Sequence, residues 1–349
     1  IWLLEFYDQT IDRIDAFFPN DEGYRKVILG DSQPFESRLF AHKNFEIPVK
    51  NSTSGIDNYY FKIQSSQKAD IRIAFRSANR FVFYSLNEYF LYGIFYGMIL
   101  IITLYNLLMY GAIREVKYLY YVFYLLSVAG FAMAVDGVGF QYLWPNAPVP
   151  FWLDRITLPS LWGFCACRFT QVLLQTRTHV RWAHHLLSFA LVCYGLAITL
   201  EAFGQRHLAA WIIALLSLTS IPAALGSALI RWRQGYFPAL LYLCGYGLIL
   251  GSISLALMRA TGLVQPATWN AYVFPIAVAA ESILFSFALA YRIQTLKQEK
   301  ANALRQADRE KTARLAQLQA NADEFQDAVA QRTAELAATN ERLSQRECE

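Results

Sequence analysis

The stretch NAYVFPIAVAAESILFSFALAYRIQTLKQEKANALRQADREKTARLAQLQANADEFQDAVAQRTAELAATNERLSQRECE, residues 270–349, holds two different helices written without a break. From Asn270 to Tyr291 it is apolar, and it meets the length of about 20 residues needed to cross a bilayer. From Arg292 to Glu349 it is charged and heptad-patterned, and no Gly or Pro follows Pro275. A membrane helix that continues into water as a stiff rod can carry a shift or a rotation across the boundary. The pattern points to a signalling receptor before any ligand or chemistry is named.

Working outward, the rest of the chain fits a polytopic membrane protein. Of its 349 residues 55% are hydrophobic and only 17% charged, too apolar for an ordinary soluble domain. The formal charge of +4 is mild, and no basic block or basic-aromatic alternation argues for nucleic acid. Cys165, Cys167, Cys193 and Cys244 lie in apolar spans and Cys348 at the tail, so neither a disulfide framework nor a zinc site is expected. The chain begins at Ile1 without a basic leader; either a signal peptide has been removed or, as expected here, it is a fragment of a longer protein.

Apolar spans are expected at Tyr89–Tyr110, Tyr118–Val135, Leu153–Leu174, His185–Leu200, Leu208–Ile230, Pro238–Met258 and Asn270–Tyr291, seven in all. Arg114 and Lys117, Arg177 and Arg181, Arg231 and Arg233, then Arg292, Lys297 and Lys300 fall on one side, which the positive-inside rule makes cytoplasmic. Before the spans, Trp2–Tyr7, Arg13–Phe18, Tyr24–Leu29, Phe45–Val49, Tyr59–Gln64 and Ile71–Phe75 are short β-rich runs separated by turn clusters. An antiparallel sandwich on the outer side follows, and Trp2 is expected in its core. The fold class is thus a multidomain membrane protein: an N-terminal β-sandwich over 1–86, a seven-helix transmembrane bundle over 87–292, and an α-helical coiled coil over 293–349.

In the tail, Leu315, Leu318, Ala322, Phe325, Val329, Leu336 and Leu343 follow the alternating three-and-four spacing of a coiled-coil seam, interrupted by Arg332 and Thr339. Leu304 lies eleven residues before Leu315, which suits a hendecad and locally different supercoiling. Charge is graded: Arg292–Arg314 holds seven Lys/Arg against three Asp/Glu, and Leu315–Glu349 the reverse, three against seven. The basic half is placed to meet anionic membrane lipid. A parallel homodimer would bury the seam; the alternative is a solvated, fraying single helix.

Several motifs then resemble one family, the bacterial seven-transmembrane receptors with diverse intracellular signalling modules (7TMR-DISM). In the outer part they are Gly30-Asp31, Pro34-Phe35, Arg38 and Phe45-Glu46-Ile47-Pro48, similar to the second half of that family's jelly-roll domain, a type related to carbohydrate-binding modules. In the membrane part they are Tyr92-Gly93, Tyr96-Gly97, Leu104-Tyr105-Asn106, Tyr118-Leu119-Tyr120-Tyr121, the run Gly137–Pro145, and Glu281-Ser282 leading to Ala288–Arg292. Arg332-Thr333-Ala334-Glu335-Leu336, with Asn340 and Leu343, resembles the linker before a histidine-kinase or diguanylate-cyclase domain. The resemblance implies an inner-membrane receptor for a small-molecule or carbohydrate ligand, with cytoplasmic output domains outside this chain. The chain itself is read as having no cofactor and no catalytic site.

Glu281 sits mid-span, where a carboxylate costs about 2.5–3.5 kcal/mol on insertion scales and must be paired or neutral. Arg168 in the third span is the expected partner, forming either a signal-relay lock or a static packing device. Asp31, Arg38 and Tyr24 in the sandwich, with Asp136, Asp154 and Arg155 at the outer mouth, are candidate ligand-binding residues; each could equally serve the fold or be a solvated interfacial charge. Arg38 is expected to anchor the Gly30-Asp31 loop. His179, His184 and His185 read as part of a basic lipid-facing loop. A transporter or channel is the rival class, disfavoured by sparse intramembrane charge and no inverted repeat. An intramembrane enzyme lacks paired catalytic residues, and a coiled-coil scaffold for signalling partners stays open.

Overall fold

The computed structural model describes residues 2–9, 11–20, 23–49, 56–65, 71–145, 156–265 and 272–346. All six expected strands form: β1 (Trp2–Phe6), β2 (Arg13–Asn20), β3 (Gly23–Leu29), β4 (Phe45–Val49), β5 (Tyr60–Gln64) and β6 (Ile73–Ser77). They make two three-stranded antiparallel sheets, in the orders β4-β1-β6 and β3-β2-β5. Period-two alternation sends Phe6, Phe45 and Ile47 from the first sheet and Ile14, Ala16 and Leu29 from the second into one core, which Ile11 completes. Phe61 and Ile63 of β5, opposite Ala16 and Ile14 on the same face, pack against it.

Gly30 follows β3 at φ +146°, and a Cβ there would fall 2.2 Å from the Asp12 carbonyl oxygen. No side chain fits that approach, so the loop carrying Asp31 and Arg38 leaves the sheet at a glycine.

One expectation about this domain is corrected. Trp2 shares the face of Leu4 and Phe6 but sits at the end of β1 beyond the core, 39% exposed, stacked on Phe75 with ring centroids 4.8 Å apart. Ile73 and Phe75 of the edge strand β6 share that face and are exposed as well, while the opposite face carries Arg76 to the carboxylate of Glu5.

The helices are α1 (Ala78–Ile113), α2 (Val116–Asp136), α3 (Val138–Tyr142), α4 (Thr157–Leu173), α5 (Thr176–His179), α6 (Arg181–Ala202), α7 (Arg206–Arg233), α8 (Phe237–Ala260) and α9 (Val273–Arg346). Among the described residues six of them are long and apolar enough to cross a membrane: α1, α2, α6, α7, α8 and the first part of α9. The expected third span is not among the six. Its helix α4 has 17 residues, short of the length of about 20 that a full crossing takes.

Helix α1 starts at Ala78, directly after β6 ends at Ser77, and not at the expected span boundary. Its 36 residues reach about 54 Å at 1.5 Å per residue, against a hydrocarbon core of about 30 Å. The first turns therefore stand clear of the lipid, and sheet passes to membrane helix without a linker.

The chain divides into two compact units, 1–289 and 290–349. In the second, the seam side chains Leu315, Leu318, Ala322, Phe325, Val329 and Leu336 are all exposed. The side chain of Leu343 lies outside the described residues, as do Asp154 and Arg155.

Candidate functional site

Where the outer sheets meet the helices, the fold encloses a charged cluster. Glu5 comes from β1, His42, Lys43 and Asn44 from the loop before β4, Glu46 from β4, and Glu88 from α1. Each is at most 4% exposed, so every charge must find a partner inside the protein. Lys43 Nζ lies 3.0 Å from Glu88 Oε1 and 5.3 Å from the centre of the Tyr92 ring. Asn44 Nδ2 donates to Glu5 Oε1 at 2.7 Å, and Arg76 Nε sits 3.4 Å from Glu5 Oε2. His42 Nδ1 is in short contact with Glu46 Oε1, while its Nε2 is 3.9 Å from Glu88 Oε2.

Burial sets the protonation of this group. It pushes the Glu46 carboxyl up to about 9, helped by the nearby charge of Glu5 and opposed by Arg38 and Lys43. It pulls the His42 imidazole down to about 4, with Lys43 adding to the effect. At neutral pH Glu46 thus holds a proton and His42 is uncharged. The Arg38 guanidinium is drawn down to about 10 by burial, against the attraction of Glu46 and Asp31, and stays charged.

Arg38 organises the loop that carries the cluster. Its Nη1 donates to the carbonyls of His42 at 3.0 Å, Lys43, and Asn44 at 3.3 Å. The guanidinium packs over Phe35, Phe45 and Phe140, the last from α3. Arg38 thus anchors segment 42–44, with Asp31 in its electrostatic surroundings, and the loop is clamped onto α3.

Further bonds cross the same junction. The Lys43 N–H donates to the Tyr89 hydroxyl at 3.2 Å, that hydroxyl donates to Gln141 Oε1 at 2.6 Å, and Gln141 Nε2 donates to the Ala41 carbonyl at 3.3 Å. Gln9 Nε2 donates to the Val135 carbonyl at 2.5 Å. The Phe35 N–H donates to the Pro145 carbonyl at 2.9 Å. Asp136 at the end of α2 accepts from the Tyr96 hydroxyl at 2.9 Å.

The expected ligand set is thus divided. Arg38 and Asp136 go to the junction. Tyr24 lies on the open face of the other sheet, 51% exposed and edge-on to Tyr60 at 5.4 Å. Asp31 sits in the turn after Gly30, its N–H bonded to the Ile11 carbonyl at 3.0 Å.

Deeper in the helices, Glu281 is wholly buried. Its partner is Tyr124, whose hydroxyl lies 2.8 and 2.7 Å from the two carboxylate oxygens. The expected pairing with Arg168 is not the one formed: Arg168 donates to Tyr120 and Gln171, both at 3.1 Å, and its guanidinium packs over the Tyr120 ring. Tyr121 donates to the Ser282 carbonyl at 2.5 Å, and Phe285 stacks on Tyr242 at 5.2 Å. The membrane part of α9 is held by aromatic residues and hydroxyls. His179 and His184 bond within their own segment, to Thr178 and Thr176.

Sequence reasoning missed Glu5, His42, Lys43 and Glu88 as site residues, and quoted Glu46 only within a motif. A signal was present: Ser85, Glu88, Tyr92, Phe95, Ile99, Thr103 and Asn106 form one buried helical stripe, and its polar start lies outside the membrane core.

Compared with known proteins, residues 88–292 match the family model described as 7TM diverse intracellular signalling. Residues 1–77 match the model described as 7TMR-DISM extracellular 2. No curated protein and no solved structure matches the chain.

Proposed function

The chain belongs to the 7TM diverse intracellular signalling family, with an extracellular domain ahead of its membrane helices, and on that premise we propose that it is a sensor of the bacterial inner membrane. Its outer sheets detect an extracytoplasmic ligand, a carbohydrate or other small molecule. The helices pass the change to a parallel dimeric coiled coil, and the coil sets the alignment of a cytoplasmic diguanylate cyclase or histidine kinase domain. The exposed aromatic pair Tyr24 and Tyr60 suits stacking on a sugar ring. The exposed seam of the tail suits a second copy, and the Lys/Arg distribution suits a cytoplasmic C-terminus.

The observation that carries this reading is the junction. β6 runs into α1 without a linker, and the buried cluster ties β1, β4 and the 42–44 loop to Glu88 of α1. A ligand that shifts the outer sheets must then shift α1, and it biases output through its unequal affinity for the two packings.

Cysteine cross-linking in native membranes tests this. Phe325→Cys on the seam should cross-link between copies, and Asp327→Cys off the seam should not. Glu88→Gln at the far end should change the Phe325→Cys cross-linking rate at least twofold. Equal cross-linking at both tail positions would sink the dimer, and an unchanged rate would sink the relay.

A further inference from the structure

Glu5, His42 and Glu46 each offer one ligand atom, and the three atoms lie within 4.8 Å of one another. We propose that this trio is a binding site for one divalent transition-metal ion of the Zn2+ type, built into the junction between the outer sheets and the first membrane helix.

One imidazole and two carboxylates form a donor set that such ions take, completed by water. Bond lengths of about 2.0–2.2 Å place ligand atoms about 3–4 Å apart, so small changes of the two Glu side chains close the trio around an ion. All three residues are buried, with Glu46 2% exposed, and Glu46 Oε2 has no hydrogen-bond partner. A buried carboxyl oxygen without a hydrogen-bond partner is costly unless something else occupies that direction. Glu5 Oε2 also lacks a hydrogen bond, although Arg76 stands 3.4 Å away.

The surroundings of His42 fit a ligand. The Asn44 N–H points at Nδ1 from 3.3 Å, which keeps the lone pair there and the proton on Nε2. Nε2 faces Glu88 Oε2 at 3.9 Å. Metal-bound histidines commonly give their second nitrogen's proton to a carboxylate, which fixes the ring. Here the carboxylate oxygen facing that nitrogen belongs to Glu88 of α1, 3.9 Å away and not hydrogen-bonded to it. An ion held by β1, β4 and the 42–44 loop would reach the membrane helix through His42.

The full chain, purified in detergent with a tag free of histidine, is stripped with chelator, loaded with Zn2+ and dialysed. Elemental analysis should find about one zinc per chain, and zinc should raise the melting temperature. X-ray absorption should show nitrogen and oxygen ligands only, with one imidazole. Glu46→Gln and His42→Gln, confirmed folded by circular dichroism, should each bind at least about 100-fold more weakly, and Glu88→Gln about 10–100-fold more weakly. Less than a tenth of a zinc per folded wild-type chain overturns the proposal. So does undiminished zinc in a folded Glu46→Gln or His42→Gln chain, or a spectrum with several imidazoles. Metal content is read without signalling, so this result stands apart from the relay.

Discussion

Glu88 and Glu281 are both enclosed carboxylates on helices of the same receptor, yet one meets a lysine and the other a tyrosine. At the junction, carboxylates from β1, β4 and α1 are interleaved with Arg38, Lys43 and Arg76. Around Glu281 the neighbours are Tyr124, Phe285 and the ring stack of Tyr242. The junction spends its charges on holding two domains in one arrangement, since separating them would strand each ion. The helix interior keeps a few hydroxyl contacts, from Tyr124 to Glu281 and from Tyr121 to the Ser282 carbonyl, in an aromatic surrounding.

The largest effect should come from stranding a charge at the junction. Lys43→Met leaves Glu88 without its ion-pair partner in a buried site, which costs about 3–5 kcal/mol. Lys43→Met combined with Glu88→Leu should recover most of that loss, because no lone charge remains. Pulse proteolysis of the outer domain in denaturant measures both. An equal loss in the double variant would mean that Lys43 acts through packing on Tyr92, and the comparison with Glu281 would fail on the junction side.

In the helix interior the same logic predicts a smaller cost. Tyr124→Phe removes the hydroxyl that serves both Glu281 oxygens and should cost about 1–3 kcal/mol. Glu281→Gln keeps an acceptor for that hydroxyl and should cost less than about 1 kcal/mol. Thermal unfolding of the purified chain ranks the two. If Glu281→Gln were the more damaging, ionic charge and not a neutral hydrogen bond would govern this site, and the two regions would be alike.

How much of this was legible in the sequence differs between the two regions. The strands could be read from β-rich runs and turn clusters, because alternation and turn chemistry are local. Glu281 stood out because a carboxylate inside an apolar span is conspicuous. Its partner was misjudged: opposite charge suggested Arg168, but Tyr124 had nothing to mark it among the many tyrosines of the spans. The junction was nearly invisible. Glu5, His42 and Glu88 are ordinary polar residues in their own segments, and only tertiary folding brings positions 5, 42 and 88 together. Trp2 failed for a related reason: it shares the face of Phe6, but how far the core extends along β1 is set by tertiary folding and not by the strand itself.

The smallest effect sharpens the comparison from the solvent side. Asp15 on β2 also has two cationic partners, Arg13 at 2.8 Å and Lys26 at 2.9 Å, but their side chains are 38% and 42% exposed. Hydrogen bonds from Lys26 and Arg13 hold the Asp15 carboxyl below its ordinary 3.8. The unfolded chain therefore binds the proton first as pH falls, and the stabilisation present above about 4 is lost below it. Asp15→Asn should lower stability slightly at neutral pH, and the two proteins should converge in acid. Salt should shrink the neutral difference, because exposed charges are screened. Hydrogen exchange of β2 and β3 amides, compared at matched pH, reads this directly. A difference that persists undiminished below pH 3 would show that Asp15 acts by shape and not by charge, and that even a carboxylate whose cationic partners are exposed behaves like Glu281.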